Sequence, residues 1–165
     1  MKGEKFVILC LLALSIIATI FSKPIVKPLG ITNFTAKVLR FPLCTYYISR
    51  YPAYVQLVNT TNLTIGIAIE PYVFNFGKLP ISKVFSSRKF IEVSNNLTKA
   101  VKVEILAFGT ISRYLYFKPS SFILGPFSKK SVEVILNTSQ AIPGNYSGEI
   151  VIISKGSRIG FLALC

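Results

Sequence analysis

The sequence predicts an all-β fold, an antiparallel β-sandwich preceded by an N-terminal signal or anchor segment. Three observations carry that expectation. From Arg88 to Gly156 apolar and polar residues alternate with a period of two and break at turn residues. The chain is 52% hydrophobic and rich in the Ile, Val, Phe and Tyr that suit a pleated, half-buried surface. Beyond residue 22 no window carries a helical period.

Residues 1–22 read MKGEKFVILCLLALSIIATIFS. Two lysines, an apolar run from Phe6 to Phe21 and a small residue, Ser22, form a secretory signal, with cleavage after Ser22 or after Ala18. Retention of the run as an N-terminal membrane anchor is the competing reading, which Lys23 and Lys27 on its far side oppose. Cys10 reads as apolar filler of this segment rather than a lipidated cysteine, because Val7-Ile8-Leu9 lacks small residues.

Residues 23–63 read as an N-terminal extension with one or two strands, and 64–165 as the sandwich. Lys23–Gly30, with two prolines, is an extended lead-in. Strands are expected at 31–41 and 45–58, where Pro52 marks an edge position or a break, then at 63–71 and 74–80. Further strands carry Ile91 and Val93; Val101, Val103 and Ile105; Leu115 and Phe117; Phe122 and Leu124; Val132, Val134 and Leu136; and Tyr146, Ile150 and Ile152. A last strand runs from Arg158 to Cys165. Turn signals every 8–15 residues between seven or more short strands indicate an immunoglobulin-like sandwich.

The segments SSFILGPFSKKSVEVILN and PGNYSGEIVIIS resemble the Ig-like modules of prokaryotic, particularly archaeal, secreted and surface proteins. The resemblance covers about residues 64–158, and Pro143 directly before Gly144 departs from the pattern by one residue in that turn. It implies a fold and says little of function, because such a fold hosts many unrelated roles. Tyr146 would stand at a tyrosine corner or serve as an ordinary core aromatic. Gly148 falls where an antibody domain has its second cysteine, so the usual bridge between the two sheets is not expected.

Composition excludes much chemistry. The 19 Lys and Arg face 6 Glu, for a formal charge of +13, and the chain has no Asp, His or Trp. No Ser-His-Asp or Cys-His constellation and no imidazole metal site can be built without them. Glu70, Glu92, Glu104, Glu133 and Glu149 are scattered singly, unlike a calcium cage or a catalytic carboxylate pair. The sequence therefore points to a non-enzyme with no cofactor. Its positive charge is dispersed, with short pairs at Arg88-Lys89 and Lys129-Lys130, so a solvated surface is expected rather than a nucleic-acid interface.

Export has two further consequences. Acceptor sequons for N-glycosylation stand at Asn33, Asn59, Asn62, Asn96, Asn137 and Asn145. In an oxidising compartment Cys44 and Cys165 form a candidate disulfide, closing a loop worth roughly 4–5 kcal/mol in the chain-entropy model. The alternative is two buried thiols.

Three functions fit these features. The first is a non-catalytic, N-glycosylated cell-surface or extracellular structural or adhesion protein, with envelope proteins or glycans as partners. The second is a filament subunit in which an extended segment within 24–41, with Phe34, Ala36 and Val38 on one face, completes a neighbour's sheet by donor-strand pairing. The third is a membrane-anchored stator-like or chaperone-like component of a surface appendage, held by its N-terminus.

Overall fold

The computed structural model describes residues 26–27, 29–30, 33–41, 43–59, 72–81 and 86–157. The signal segment, the expected strand at 63–71 and the expected last strand at 158–165 lie outside them. Among the described residues no helix is long and apolar enough to cross a membrane.

These residues form an all-β structure. In chain order the strands are β1 (Thr35–Arg40), β2 (Cys44–Val58), β3 (Phe74–Pro80), β4 (Ser86–Ser94), β5 (Val101–Gly109), β6 (Leu115–Lys118), β7 (Ser121–Leu124), β8 (Lys129–Asn137) and β9 (Gly144–Ser157). A short 3-10 turn at Thr110–Tyr114 joins β5 to β6. Six strands build one sheet in the order β1-β2-β9-β5-β7, with β3 also on β2; β4-β8-β6 is the second sheet.

Among the described residues every strand pair is antiparallel except one: β3 runs parallel to β2, opposing Ala53–Val58. The expected purely antiparallel arrangement is corrected at this point. Both long strands, β2 and β9, are flanked by partners on each edge, and they pair with each other from Cys44↔Ser157 to Leu57↔Gly144. The stretch read as an N-terminal extension thus supplies an interior strand of the larger sheet.

Pro52 lies inside this interior strand and is fully buried, so neither a break in the strand nor an outermost position is observed. The ladder explains how it is tolerated. On the edge of β2 away from β9, β1 ends its pairing at Arg50 and β3 begins at Ala53. Pro52 stands in the gap between them, where no partner strand requires its missing N–H.

One core lies between the sheets. The larger sheet contributes Ala53, Val55 and Leu57, Val103 and Ile105, and Ile150 and Ile152. The smaller contributes Ile91, Val93, Val132, Val134 and Leu136. Apart from Ala53, each such side chain stabilises the fold by about 1.5–3 kcal/mol when fully buried. A second apolar cluster covers the other face of the larger sheet: Cys44, Tyr46, Ile48, Val151 and Ile153, with Val26, Leu39, Phe41, Leu43 and Phe108 packed on it. The half-exposed alternation expected over Arg88–Gly156 therefore fails at β9, whose apolar run Ile150–Ile153 is buried on both faces of the sheet.

Where β5 leaves for the 3-10 turn, Gly109 faces Gly148 of β9. Gly109 has φ 88°, a left-handed conformation that costs a side chain strain. A Cβ on it would come 2.6 Å from the Gly148 Cα, and a Cβ on Gly148 would strike the Phe108 carbonyl oxygen and the Ile111 side chain. Two backbones can cross this closely only with glycine on both strands. Gly148→Ala is expected to lower stability by about 2–4 kcal/mol, measured by denaturant unfolding. A change below 0.5 kcal/mol would show that the crossing relaxes freely.

Candidate functional site

Two features of the larger sheet could engage a partner: a polar cleft on its inner face and the seat occupied by β2. Each follows from how β2 is patterned.

In the first half of β2 the inward residues are Thr45, Tyr47, Ser49 and Tyr51, in place of the aliphatic residues of its second half. Tyr47, Ser49 and Tyr51 line a cleft of about 300 Å³ with Ile152 and Ser154 of β9. Its opposite wall is the consecutive run Glu92–Leu97, so the edge of β4 is presented together with its side chains. β4 pairs only with β8 among the described residues. Tyrosine and serine hydroxyls beside an unpaired strand edge suit neutral hydroxylated ligands or an extended peptide. The volume is at the lower end for a small-molecule site.

Asn95, buried at the rim of this cleft, is already engaged. Its Nδ2 donates to the carbonyl oxygens of Lys99 (2.8 Å), Gly125 (2.7 Å) and Leu124 (3.2 Å), and its Oδ1 accepts from the Leu97 amide. It clamps the β4–β5 turn to the β7–β8 turn and is a structural residue.

The seat of β2 has its own chemistry. Arg50 on β2 donates through Nη1 to Oε1 of Glu149 on β9 at 2.8 Å, and the Glu149 side chain is 1% exposed. The same oxygen accepts the Leu29 amide at 2.9 Å, which fastens the lead-in to the outer face of the sheet. Oε2 of Glu149 has no hydrogen-bond partner among the described residues. Beside the gap at Pro52, rings pack along the sheet edge: Phe34 on Tyr51 (4.9 Å between centroids) and on Tyr72 (5.0 Å), then Tyr51 on Phe74 (5.8 Å). Each such pair adds about 0.5–1.5 kcal/mol beyond its buried area.

Sequence reasoning passed over Arg50 and Glu149 as scattered charges. A signal was present at Glu149, which directly precedes the unbroken apolar run Ile150–Ile153. The remaining described glutamates also have ion-pair partners: Glu92 with Lys129, Glu104 with Lys102 and Glu133 with Arg88. These pairs lie at the surface and contribute little. Among the described residues no three His, Cys, Asp or Glu side chains come together as a metal site.

The other residues singled out from sequence are dispersed. Cys44 is buried at the start of β2 and is disulfide-bonded, while Cys165 lies outside the described residues. Asn33, Asn59, Asn96 and Asn145 are exposed, Asn137 is half-buried, and Asn62 lies outside the described residues. The Tyr146 hydroxyl donates to the Ile142 carbonyl oxygen at 2.8 Å, bonding back to the backbone as a tyrosine corner does. Its ring also packs edge-on against Tyr114.

Comparison with protein-family models, curated proteins and solved structures finds no match to this chain.

Two outcomes follow. Arg50→Met would leave the Glu149 carboxylate buried without its cation, at an expected cost of about 3–5 kcal/mol. Arg50→Met combined with Glu149→Gln should recover most of that loss in denaturant unfolding, and equal losses would show that the ion pair is not the cause. The second outcome concerns pH. Three phenols are held above their ordinary value of about 10. For Tyr46 and Tyr51 the cause is first burial, then the charge of Glu104 and the neighbouring Tyr72 respectively. For Tyr146 it is first the hydrogen bond with the Tyr114 side chain. Raised values favour the neutral form in the folded chain, so this stability is fully present below about pH 10 and is lost as pH rises through the folded values. Absorbance titration near 295 nm should show these phenols ionising later in the folded than in the unfolded chain.

Proposed function

We propose that the chain is a non-catalytic, exported and N-glycosylated protein of the cell surface, serving a structural or adhesive role through an immunoglobulin-like sandwich. The observation that carries this reading is where the acceptor asparagines lie. Asn59 follows the end of β2, Asn137 closes β8 and Asn145 opens β9. Val58 pairs with Pro80, Gln56 pairs with Asn145, and Thr138 bonds to the Pro80 carbonyl, so the three share one end of the molecule. By sequence Asn62 belongs to the connection leaving that end. Sugar gathered there would solubilise an apolar chain; Asn96 stands apart from that group, in the wall of the cleft, where a glycan would cover one side of it.

The immunoglobulin-like assignment is supported by two sheets over one core and by the Tyr146 hydroxyl bond. The middle of the larger sheet, β5-β9-β2, follows the arrangement of the smaller immunoglobulin sheet, with one departure. The position of the last strand, beside β9, is taken by the N-terminal β2. That departure favours a second reading, a filament subunit that assembles by strand donation.

Cell fractionation, N-terminal sequencing and intact mass before and after deglycosylation test the first reading. A surface or medium fraction carrying glycan mass is expected, beginning at Lys23 or Thr19 if the signal is removed and at Met1 if it is kept as an anchor. An unmodified protein confined to cytosol would overturn it.

A further inference from the structure

We propose that the cleft beside β4 receives an extended peptide of a partner protein, with hydroxylated side chains and an acidic flank, which adds a strand to the β4 edge. The inference rests on the surface reading and names the partner for it. It is tested on the purified chain, so it can fail while the fractionation result stands.

The hydrogen-bond phase of β4 determines which groups face the cleft. Ser94 stands opposite Lys129, so Asn95 stands opposite Ser128, and the Asn95 amide donates to the Ser128 carbonyl oxygen at 2.9 Å. In an antiparallel ladder such bonded positions alternate with positions whose N–H and C=O turn the other way. Val93 and Asn95 therefore turn to β8, and Glu92 and Ser94 turn to the open edge. Side chains divide in the same phase: Val93 and Asn95 are buried, Glu92 and Ser94 exposed. Among the described residues no strand pairs with this edge, and Glu92–Leu97 forms the cleft wall.

The facing sheet leaves room for the added strand. Three strands, β4-β8-β6, oppose a sheet whose main path is five strands wide. The first half of β2 thus meets the cleft where its second half meets aliphatic core. The opening is long rather than round. A second cavity of about 170 Å³ shares Tyr47, Leu97 and Val101 with the first and extends it to Thr45 and Lys99. From Tyr51 to Thr45 the groove follows β2 for about 20 Å, the length of a six-residue strand. A compact ligand would leave the main-chain groups of Glu92 and Ser94 unanswered. An extended backbone offers a donor and an acceptor at every second residue, the basis of recognition by strand addition.

The lining selects the side chains. Hydroxyls of Tyr47, Ser49 and Ser154 stand beside apolar Val101 and Ile152, which suits threonine, with its methyl and hydroxyl on one carbon. Glu92 is the only acid lining the groove, and it is paired with Lys129 at 2.7 Å. Lys99 lines the far end, and the chain carries a charge of +13, so an acidic flank is attracted there.

The probe is a fluorescein-labelled peptide of three threonine-serine repeats with a glutamate at each end, titrated by fluorescence polarisation. Saturable binding is expected. Amide exchange should then slow at Glu92 and Ser94, whereas Val93 and Asn95 are already protected by β8. Methylating the backbone nitrogens of one repeated residue type should abolish binding and methylating the other should not, because alternate residues of a strand bond along one edge. Ser94→Pro removes an N–H that β8 does not use, so it should weaken binding about tenfold while the unfolding midpoint is kept. If that variant unfolds, the exchange result on the wild-type chain decides. Absence of saturable binding overturns the proposal, as does binding that leaves exchange at Glu92 and Ser94 unchanged or tolerates both methylations. Binding of maltohexaose in place of the peptide would make the cleft a glycan site and overturn it too. So would full occupancy of Asn96 by glycan, which would stand in the wall that the strand must line.

Discussion

The pairing of β2 with β9 is the contact on which the rest of the structure depends. It runs from Cys44↔Ser157 to Leu57↔Gly144 and joins the first third of the chain to its last described strand. Among the described residues β1 and β3 have no strand partner except β2. Both apolar clusters draw side chains from both members of the pair, because neither strand has a solvent face over its central residues. Such a contact separates residues by about a hundred positions, and it forms only after the loop-closure entropy between them is met.

Burial on two faces explains why so few charges lie inside and why those few are matched. A carboxylate within an apolar layer is tolerated only beside a cation and donors, which Arg50 and the Leu29 amide supply to Glu149. The surplus of positive charge then falls to the sheet surfaces and edges. Lys37 and Arg40 on the exposed β1 edge discourage uncontrolled strand pairing, the hazard of a chain this apolar. Exposed acceptor asparagines would act in the same direction if they carry sugar.

A sheet whose interior strand comes from the N-terminal segment also gives the proposed surface role a mechanical form. Pulled at its ends, a strand held by pairing along both edges and by a matched buried charge resists as a unit. The polar cleft beside the β4 edge draws Tyr47, Ser49 and Tyr51 from the same strand, so its shape depends on how β2 is seated.

The sequence by itself determined the fold class, most strand positions and the turns at Asn95, Pro119, Gly125 and Pro143, because these depend on local alternation and turn chemistry. It also marked Cys44 and the acceptor asparagines, since their identity alone defines them. It could not assign β2 to the sheet interior. Pro52 signals an edge, and only the gap between β1 and β3 reveals how an interior strand accommodates it. Nor could alternation rank which strands are covered on both faces, so Arg50 and Glu149 read as surface charges. Strand order, the parallel β2–β3 pair, the Gly109–Gly148 crossing and the cleft arise from contacts between residues far apart in the chain. Those the tertiary structure alone decided, because period-two patterning specifies which face a side chain takes and carries no information about which strand lies beside it.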